Sequence, residues 1–277
     1  MDEGVFRPGQ QLGRYELERL LGEGANGFVF SARDDGGGEV ALKLLRPERA
    51  DEAIARRRFL REARLVSELD SRHVVPILEV GEAGGLPYLV MPLYRESLAL
   101  RLRSAGRLGL DETVDLAAEL GRGLDVLHDH GILHRDVKPS NVLIDAGGSA
   151  ALADFGLARD ADSTRITQGQ LIGTPHYLAP ELIEGAEASR ASDLYALGCL
   201  LYECLVGEPP FGGRRLPEVG FAHLTEPPPD PRAARPELSD DFALALLTPL
   251  EKDPSLRPTT GTALARMLHA ARTASPA

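Results

Sequence analysis

The first ninety residues alternate between short apolar segments and polar turns. The apolar segments have the length and the β-branched and aromatic content of strands. They are residues 15–21, 28–33, 39–45, 75–80 and 88–91. Between the third and fourth segments, Phe59, Ala63 and Val66 recur at helical spacing in the Arg- and Glu-rich stretch 47–69. The pattern predicts a five-stranded antiparallel sheet with one helix.

After Leu93 the pattern changes to longer amphipathic segments. We expect helices at 111–131, 192–206, 239–250 and 259–272. The Pro-rich stretch between the second and third of these reads as a loop. The chain is therefore predicted to be α+β and bilobal. The predicted boundaries are an N-lobe at 1–92 with an extension at 1–14, a C-lobe at 93–270 and a tail at 271–277.

Charge and cysteine content narrow the classes of function. The formal net charge is −11, which argues against a nucleic-acid or anionic-membrane binder. Cys199 and Cys204 are the only cysteines, and we expect packed free thiols in a reducing compartment. No apolar run approaches the roughly 18 residues of a membrane span, and the acidic N-terminus does not resemble a signal peptide. We expect no membrane contact within this chain.

Lysine is rare in this chain. Only three of the 31 basic residues are lysines, namely Lys43, Lys138 and Lys252. A compact, reorientable ammonium cannot be replaced by the planar fork of arginine. The alternative, chance retention, weakens if the lysines fall within chemical motifs.

The stretch "GEGANGFV" contains Gly22, Gly24 and Gly27. Dinucleotide binding would require a helix after the glycines, whereas here a strand follows. A glycine hairpin can instead present backbone N–H groups to a polyphosphate. A merely flexible hairpin is the alternative if the motif stands alone.

Lys43, on the third predicted strand, could reach the α- and β-phosphates if a carboxylate holds it. Glu62 is the best candidate, because it lies beside the apolar face of the predicted helix. By sequence alone Glu48, Glu52 and Glu68 are rivals. A solvated helix charge is the alternative role for Glu62.

Asp154 lies in the apolar context "ADFGLAR". A carboxylate there is costly to desolvate unless a cation binds it. Mg²⁺ is a natural partner, with Asn141 as a second oxygen ligand. A turn-capping role is the alternative.

Taken together, the motifs resemble those of a eukaryotic-type (Hanks-type) protein Ser/Thr kinase catalytic domain, over about residues 15–270. The motifs "GEGANGFV", "VALK", "HRDVKPSN", "DFG" and "APE" occur in order. The chain is also similar to bacterial receptor-type Ser/Thr kinases. The resemblance implies the bilobal protein-kinase fold, with ATP and Mg²⁺ (or Mn²⁺) as cofactors and a Ser/Thr-bearing protein as substrate.

The resemblance implies a role for each motif residue. Asp136 would orient the acceptor hydroxyl and take its proton, and Lys138 would neutralise the γ-phosphate. Asn141 and Asp154 would hold the metal. The adenine and hinge positions would be Leu21, Val29, Ala41, Met91, Pro92, Tyr94 and Leu143. Pro92 stands where relatives commonly have Glu.

Structural and substrate-contacting residues also follow from the resemblance. Glu181 would pair with Arg257, and Asp193 would brace the catalytic loop. Thr174 would contact Asp136 and Lys138. An apolar column would contain Val66, Ile77, His134 and Phe155. Lys252 is expected to be only structural.

Regulation by activation-loop autophosphorylation is the remaining implication. Thr167 is the first candidate site, with Thr164 and Ser163 as runners-up. A phosphate there could pair with Arg135 and Arg159. Back-to-back dimers of similar kinases make a dimer a further expectation.

Two alternatives accompany the kinase interpretation. A pseudokinase scaffold would bind nucleotide and partners only, and the intact Lys43, Asp136, Asn141 and Asp154 argue against it. A small-molecule phosphotransferase would lack the segment from Asp154 to Glu181. A cytoplasmic location is expected, either alone or as the cytosolic domain of a membrane-anchored protein.

Overall fold

The computed structural model describes residues 6–24, 27–155 and 175–273. The chain divides into two compact units, residues 1–95 and 96–277. The division falls three residues after the predicted lobe boundary at 92. Strands dominate the first unit and helices the second, which confirms the predicted α+β class.

The first unit contains an antiparallel sheet. Among the described residues it has six strands in the order β1-β2-β3-β4-β6-β5. The strands are β1 (Gln11–Leu12), β2 (Tyr15–Gly24), β3 (Gly27–Arg33), β4 (Glu39–Leu45), β5 (Glu79–Ala83) and β6 (Leu86–Pro92). One face of the sheet carries an apolar core that includes Leu17, Phe30 and Leu42. This unit therefore has its own core.

The sheet differs from the expected one at two strands. The additional strand, β1, is only two residues long and lies in the predicted N-terminal extension. The segment predicted at 75–80 enters the sheet only at Glu79. Pro76 lies within that segment, and proline lacks the N–H that a sheet ladder needs. With β1, the described part of the sheet has one strand more than the five predicted.

Two helices replace the single predicted one. They are α1 (Pro47–Asp51) and α2 (Ala53–Ser67). Glu52 between them has an extended conformation. Phe59, Ala63 and Val66 are buried on α2, as their spacing predicted.

The second unit is mainly helical and also contains a small sheet. Strands β7 (Glu96–Ser97), β8 (Val142–Ile144) and β9 (Ala150–Leu152) pair antiparallel in that order. The helices are α3 (Leu98–Ala105), α4 (Leu110–Asp129), α5 (Pro180–Ile183), α6 (Arg190–Val206), α7 (Leu216–Thr225), α8 (Asp240–Leu247) and α9 (Gly261–Thr273). Helices α3, α5 and α7 were not predicted from the sequence.

Helices α4 and α9 approach each other at two glycines. A Cβ on Gly121 would lie 2.5 Å from the carbonyl oxygen of Gly261, and one on Gly261 would lie 2.4 Å from that of Gly121. Asp125, one turn further along α4, accepts the backbone N–H groups of Gly261 and Thr262 at 2.7 and 2.9 Å. The carboxylate thus caps the start of α9 and fixes the contact.

Helix α6 runs through the core of the second unit. Cys199 and Cys204 are both buried free thiols, as predicted, and burial raises the pKa of each. Within the three described ranges, no helix is both long and apolar enough to cross a membrane.

Candidate active site

The segment from His134 to Asn141, here called the catalytic loop, is anchored by one buried carboxylate. Asp193 on α6 is 2% exposed. It accepts the backbone N–H groups of His134 and Arg135, each at 2.8 Å. His128 on α4 places its Nε2 2.8 Å from the same carboxylate. Arg135 has a left-handed φ of 62°, so these bonds hold a strained turn in place.

Two side chains of the catalytic loop, those of Lys138 and Asn141, contact the carboxylate of Asp136. Lys138 Nζ lies 2.8 Å from Asp136 Oδ2. Asn141 Nδ2 donates to the same oxygen at 3.0 Å and to the Asp136 carbonyl at 2.8 Å. Because the amide nitrogen of Asn141 is engaged with Asp136, its oxygen Oδ1 is the atom available to a metal.

Asp154 and Asn141 lie at one edge of the small sheet. Asn141 directly precedes β8, and Asp154 follows β9 by two residues. The two strands are antiparallel, and Ala153 N–H extends their pairing by donating to the Asn141 carbonyl at 2.8 Å. Asp154 is half-buried with a φ of 59°. This edge thus supplies two hard oxygen donors, which suits Mg²⁺ because that ion also keeps waters and substrate phosphates.

The apolar column predicted from the sequence has two members in each unit. Val66 and Ile77 are buried in the first unit. In the second unit His134 and Phe155 are buried and pack edge to face with ring centroids 6.3 Å apart. Burial lowers the pKa of His134, which suits a packed neutral imidazole. The column as a whole stays a prediction.

Glu181 and Arg257 form a buried bidentate pair. Arg257 Nη1 and Nη2 donate to Glu181 Oε1 and Oε2 at 2.7 and 2.8 Å. The same guanidinium donates to the carbonyls of Glu251, Ala191 and Lys252. Its side chain is 0% exposed. The structure thus brings together the two residues that the sequence pairs.

A hydrogen bond between Tyr177 and Glu203 joins the turn before α5 to α6. Tyr177 OH donates to Glu203 Oε2 at 2.5 Å. Burial raises the pKa of both groups, and for Glu203 the hydrogen bond from Tyr177 opposes that rise. Both residues line an open groove that also borders Lys138 and Arg103. The groove places a mixed-charge surface beside the catalytic loop.

The three glycines of the glycine-rich loop have different surroundings in the first unit. A Cβ on Gly27 would lie 1.9 Å from the Leu44 carbonyl oxygen, so packing alone requires glycine there. Around Gly22 and Gly24 there is open space within 4 Å. The sheet therefore explains Gly27, and the role of Gly22 and Gly24 in phosphate binding stays a prediction.

Lys43 and Glu62 are both shielded within the first unit. Lys43 on β4 is 5% exposed and pairs across the sheet with Val29 and Leu89. Glu62 on α2 is half-buried beside Phe59. The rival carboxylates at 48, 52 and 68 are all exposed. This burial supports Glu62, and its pairing with Lys43 stays a prediction.

The predicted adenine and hinge residues occupy both units. Ala41 and Met91 face each other across β4 and β6, and each is 7% exposed. Val29, Pro92 and Tyr94 are half-buried, and Leu21 is 39% exposed. Leu143, on β8 of the second unit, is half-buried and pairs with Ser97 and Ala151. Their contact with adenine stays a prediction.

The candidate regulatory threonines lie outside the described residues. Thr164, Thr167 and the substrate-contacting Thr174 fall there, as do Ser163 and Arg159. Their roles stay predictions.

Sequence reasoning missed two residues that support the loops. His128, bonded to Asp193, reads in the sequence only as one more position of an amphipathic helix. Arg46 contacts the glycine-rich loop, yet it belongs to an arginine-rich chain where no single arginine stands out. In both cases the partner residue, not a motif, reveals the role.

The chain matches known kinases over nearly its whole length. The family model of the protein kinase domain matches residues 15–269. The chain is 39% identical to serine/threonine-protein kinase PknE of Mycobacterium tuberculosis over 96% of this chain and 47% of PknE. It is 42% identical to DNA damage-responsive serine/threonine-protein kinase RqkA of Deinococcus radiodurans, over 96% of this chain and 41% of RqkA.

A solved structure gives the same answer for the fold. The kinase domain of M. tuberculosis PknI aligns with a TM-score of 0.77 and 28% identity, covering 97% of this chain and 100% of that domain. This chain spans less than half the length of PknE and RqkA. From the catalytic loop, the small sheet and these matches, we conclude that the chain belongs to the protein kinase domain family.

Proposed function

We propose that this chain transfers the γ-phosphoryl group of ATP to Ser or Thr hydroxyls of proteins. The observation that carries the proposal is the cluster of Asp136, Lys138 and Asn141, joined by contacts of 2.8 and 3.0 Å. Phosphoryl transfer needs positioning and charge neutralisation more than covalent chemistry. This cluster offers a carboxylate, an ammonium and an amide on a braced turn.

In this proposal Asp136 accepts the proton of the attacking hydroxyl. Its hydrogen bond from Asn141 and its ion pair with Lys138 fix the carboxylate in one orientation. Lys138 keeps a mobile ammonium within reach, which can follow negative charge as it develops on the transferred group. The Gly22–Gly27 hairpin and Lys43 would bind the phosphates of ATP.

Asn141 and Asp154 would hold Mg²⁺ or Mn²⁺ by their side-chain oxygens. The ion, when bound, would neutralise phosphate charge. The protein's part is to fix the two oxygen donors at one sheet edge and to keep the amide nitrogen of Asn141 turned to Asp136.

The proposed substrates are proteins, including the kinase itself. Thr167 is the first candidate for autophosphorylation, followed by Thr164, and Thr174 is the proposed contact to the acceptor. The bacterial relatives and the two buried free thiols favour a cytoplasmic kinase domain, which a longer protein could anchor to a membrane. A dimer through the first unit is a further expectation.

Transfer of labelled γ-phosphate from Mg·ATP to the protein and to a basic protein substrate tests the proposal. We expect Ser/Thr labelling by the parent and a loss of about 10²–10⁴ in turnover for Asp136→Asn, the usual effect of removing a catalytic base. Lys43→Met should also abolish labelling. Mapping the labelled sites then tests Thr167.

Three different results would contradict the proposed function. Nucleotide binding without transfer would favour the scaffold alternative. Equal labelling by the parent and Asp136→Asn would remove Asp136 from the mechanism. Labelling of a small-molecule acceptor in place of protein would favour the alternative of a small-molecule phosphotransferase.

A further inference from the structure

Arg46 spans the base of the glycine-rich loop. It directly follows β4 and its side chain is 30% exposed. Its Nε donates to the Gly24 carbonyl at 2.9 Å, and its Nη2 donates to Glu23 Oε1 at 2.7 Å. The guanidinium carbon also lies 4.7 Å from the centre of the Phe28 ring.

These contacts reach both strands of the hairpin. Gly24 is the last residue of β2, and Phe28 is the second residue of β3. One guanidinium therefore hydrogen-bonds to the outgoing strand and lies over the Phe28 ring of the returning strand. A residue that touches both sides of a turn restricts the separation and twist of the two sides.

The returning strand is held from two more directions. Phe6 packs edge to face on Phe28 with ring centroids 5.6 Å apart. Gly27, the preceding residue, lies so close to the Leu44 carbonyl that no Cβ fits. The β3 side of the hairpin is thus fixed by packing. Arg46 supplies hydrogen bonds to the β2 side, at Glu23 and Gly24.

We propose that Arg46 is a positioning residue for the glycine-rich loop. By bonding the Gly24 carbonyl it sets the backbone orientation of residues 22–24, whose N–H groups would face the polyphosphate of ATP. This inference rests on the proposed function, because it assigns the loop to ATP. Arg46 acts through the backbone and is not assigned a contact with the nucleotide.

The arrangement requires arginine rather than any cation. Lysine can bond either the Gly24 carbonyl or Glu23, but it has no planar face to stack on Phe28 while doing so. The exposure of Arg46 and Glu23, 30% and 52%, limits the expected effect, since exposed charge pairs contribute little. The effect should therefore be a shift in nucleotide affinity rather than a loss of activity.

The sheet offers a matched control at its other end. Arg33 on β3 likewise bonds a carboxylate, Glu18, at 2.9 Å and a glycine carbonyl, that of Gly37, at 3.0 Å. Its side chain is 45% exposed. Arg33 thus repeats the same bonds at the turn away from the glycine-rich loop.

The test compares Arg46→Lys and Arg46→Ala with Arg33→Lys and Arg33→Ala. We expect Arg46→Ala to raise the KM for ATP about 3- to 10-fold with kcat changed less than about 2-fold. Arg46→Lys should restore only part of the affinity. The Arg33 variants should change neither constant, and no variant should change the KM for the protein substrate.

A second measurement needs no turnover. Hydrogen exchange of the peptide that covers residues 20–30, in nucleotide-free protein, should be faster in Arg46→Ala than in Arg33→Ala. Unchanged exchange in Arg46→Ala would overturn the proposal, and so would faster exchange with an unchanged KM for ATP. If the parent shows no transfer, the proposed function fails, while exchange still decides whether Arg46 holds the loop.

Discussion

The catalytic loop and the glycine-rich loop are both polar turns between apolar segments, but they are held by contacts of different burial. The catalytic loop is anchored by Asp193, which is 2% exposed and whose carboxylate accepts hydrogen bonds from two backbone N–H groups of the loop. The glycine-rich loop is held by Arg46 and Glu23, whose side chains are 30% and 52% exposed.

This difference in burial predicts a difference in energy. Removing a buried acceptor leaves its donors without water and costs their full desolvation, whereas water replaces an exposed partner. The loop assigned to proton transfer is therefore fixed strongly. The β2 side of the glycine-rich loop, which Arg46 and Glu23 hold, is therefore fixed more weakly than the catalytic loop.

The largest test of the comparison removes the buried anchor. Asp193→Ala should lower the free energy of unfolding by about 3–5 kcal/mol, because His128 and two backbone donors lose one shared acceptor in the core. Urea unfolding measures the change. Asp230→Ala is the control, since Asp230 pairs with Arg232 at 2.6 Å but its side chain is 47% exposed; it should lose much less stability than Asp193→Ala, because water replaces an exposed partner. Similar losses in both variants would remove burial as the explanation.

A second test compares two bidentate ion pairs. Arg257→Lys breaks the pair with Glu181 and its three carbonyl contacts, and should cost about 3 kcal/mol. Arg214 binds Glu226 with the same geometry, at 2.7 and 2.9 Å, but its side chain is 38% exposed. Arg214→Lys should cost much less than Arg257→Lys by urea unfolding, because water replaces an exposed partner. A larger loss at Arg214 would contradict the comparison.

The third test uses pH and a buried imidazole of the second unit. His223 accepts or donates a 2.7 Å bond with Tyr195 OH, and burial lowers its pKa to about 3. The unfolded chain binds its proton near pH 6.5. Between these values the unfolded state carries the extra proton, so stability falls as pH falls, by about 1.4 kcal/mol per pH unit.

Urea unfolding at pH 7, 6 and 5 should show stability falling more steeply from pH 6 to 5 than from pH 7 to 6 in the parent, and a shallower fall in His223→Gln. His130→Gln, at an exposed histidine, is the comparison variant for loss of a histidine outside the core. Equal slopes in the parent and His223→Gln would show that His223 is not the titrating group.

The sequence predicted the elements whose residues carry their own signal. Strand β4 matches its predicted bounds, 39–45, because a short apolar run interrupted only by Lys43 fills it. Helix α3, "LALRLRSA", was missed because eight residues with three leucines and two arginines show too little helical periodicity. The short β1 depends on pairing with β2 and has no signal of its own.

Prediction of the candidate active site from the sequence has the same limit. The motifs placed Asp136, Lys138 and Asn141 in one loop, and the structure adds which atoms face each other. The role of His128 could not be predicted, because its contact with Asp193 joins positions 65 residues apart. The orientation of the Asn141 amide likewise depends on a hydrogen bond that only the folded loop forms.

The contact of Gly121 with Gly261 links two positions 140 residues apart in a single constraint on sequence change. Each glycine occupies the space that a methyl group on the other would need, so substitution at one cannot be compensated by substitution at the other. Neither glycine can be substituted while the other helix stays in place. Homologues that keep this crossing of α4 and α9 should therefore retain both glycines, which makes the pair a marker of helix register in sequence comparisons.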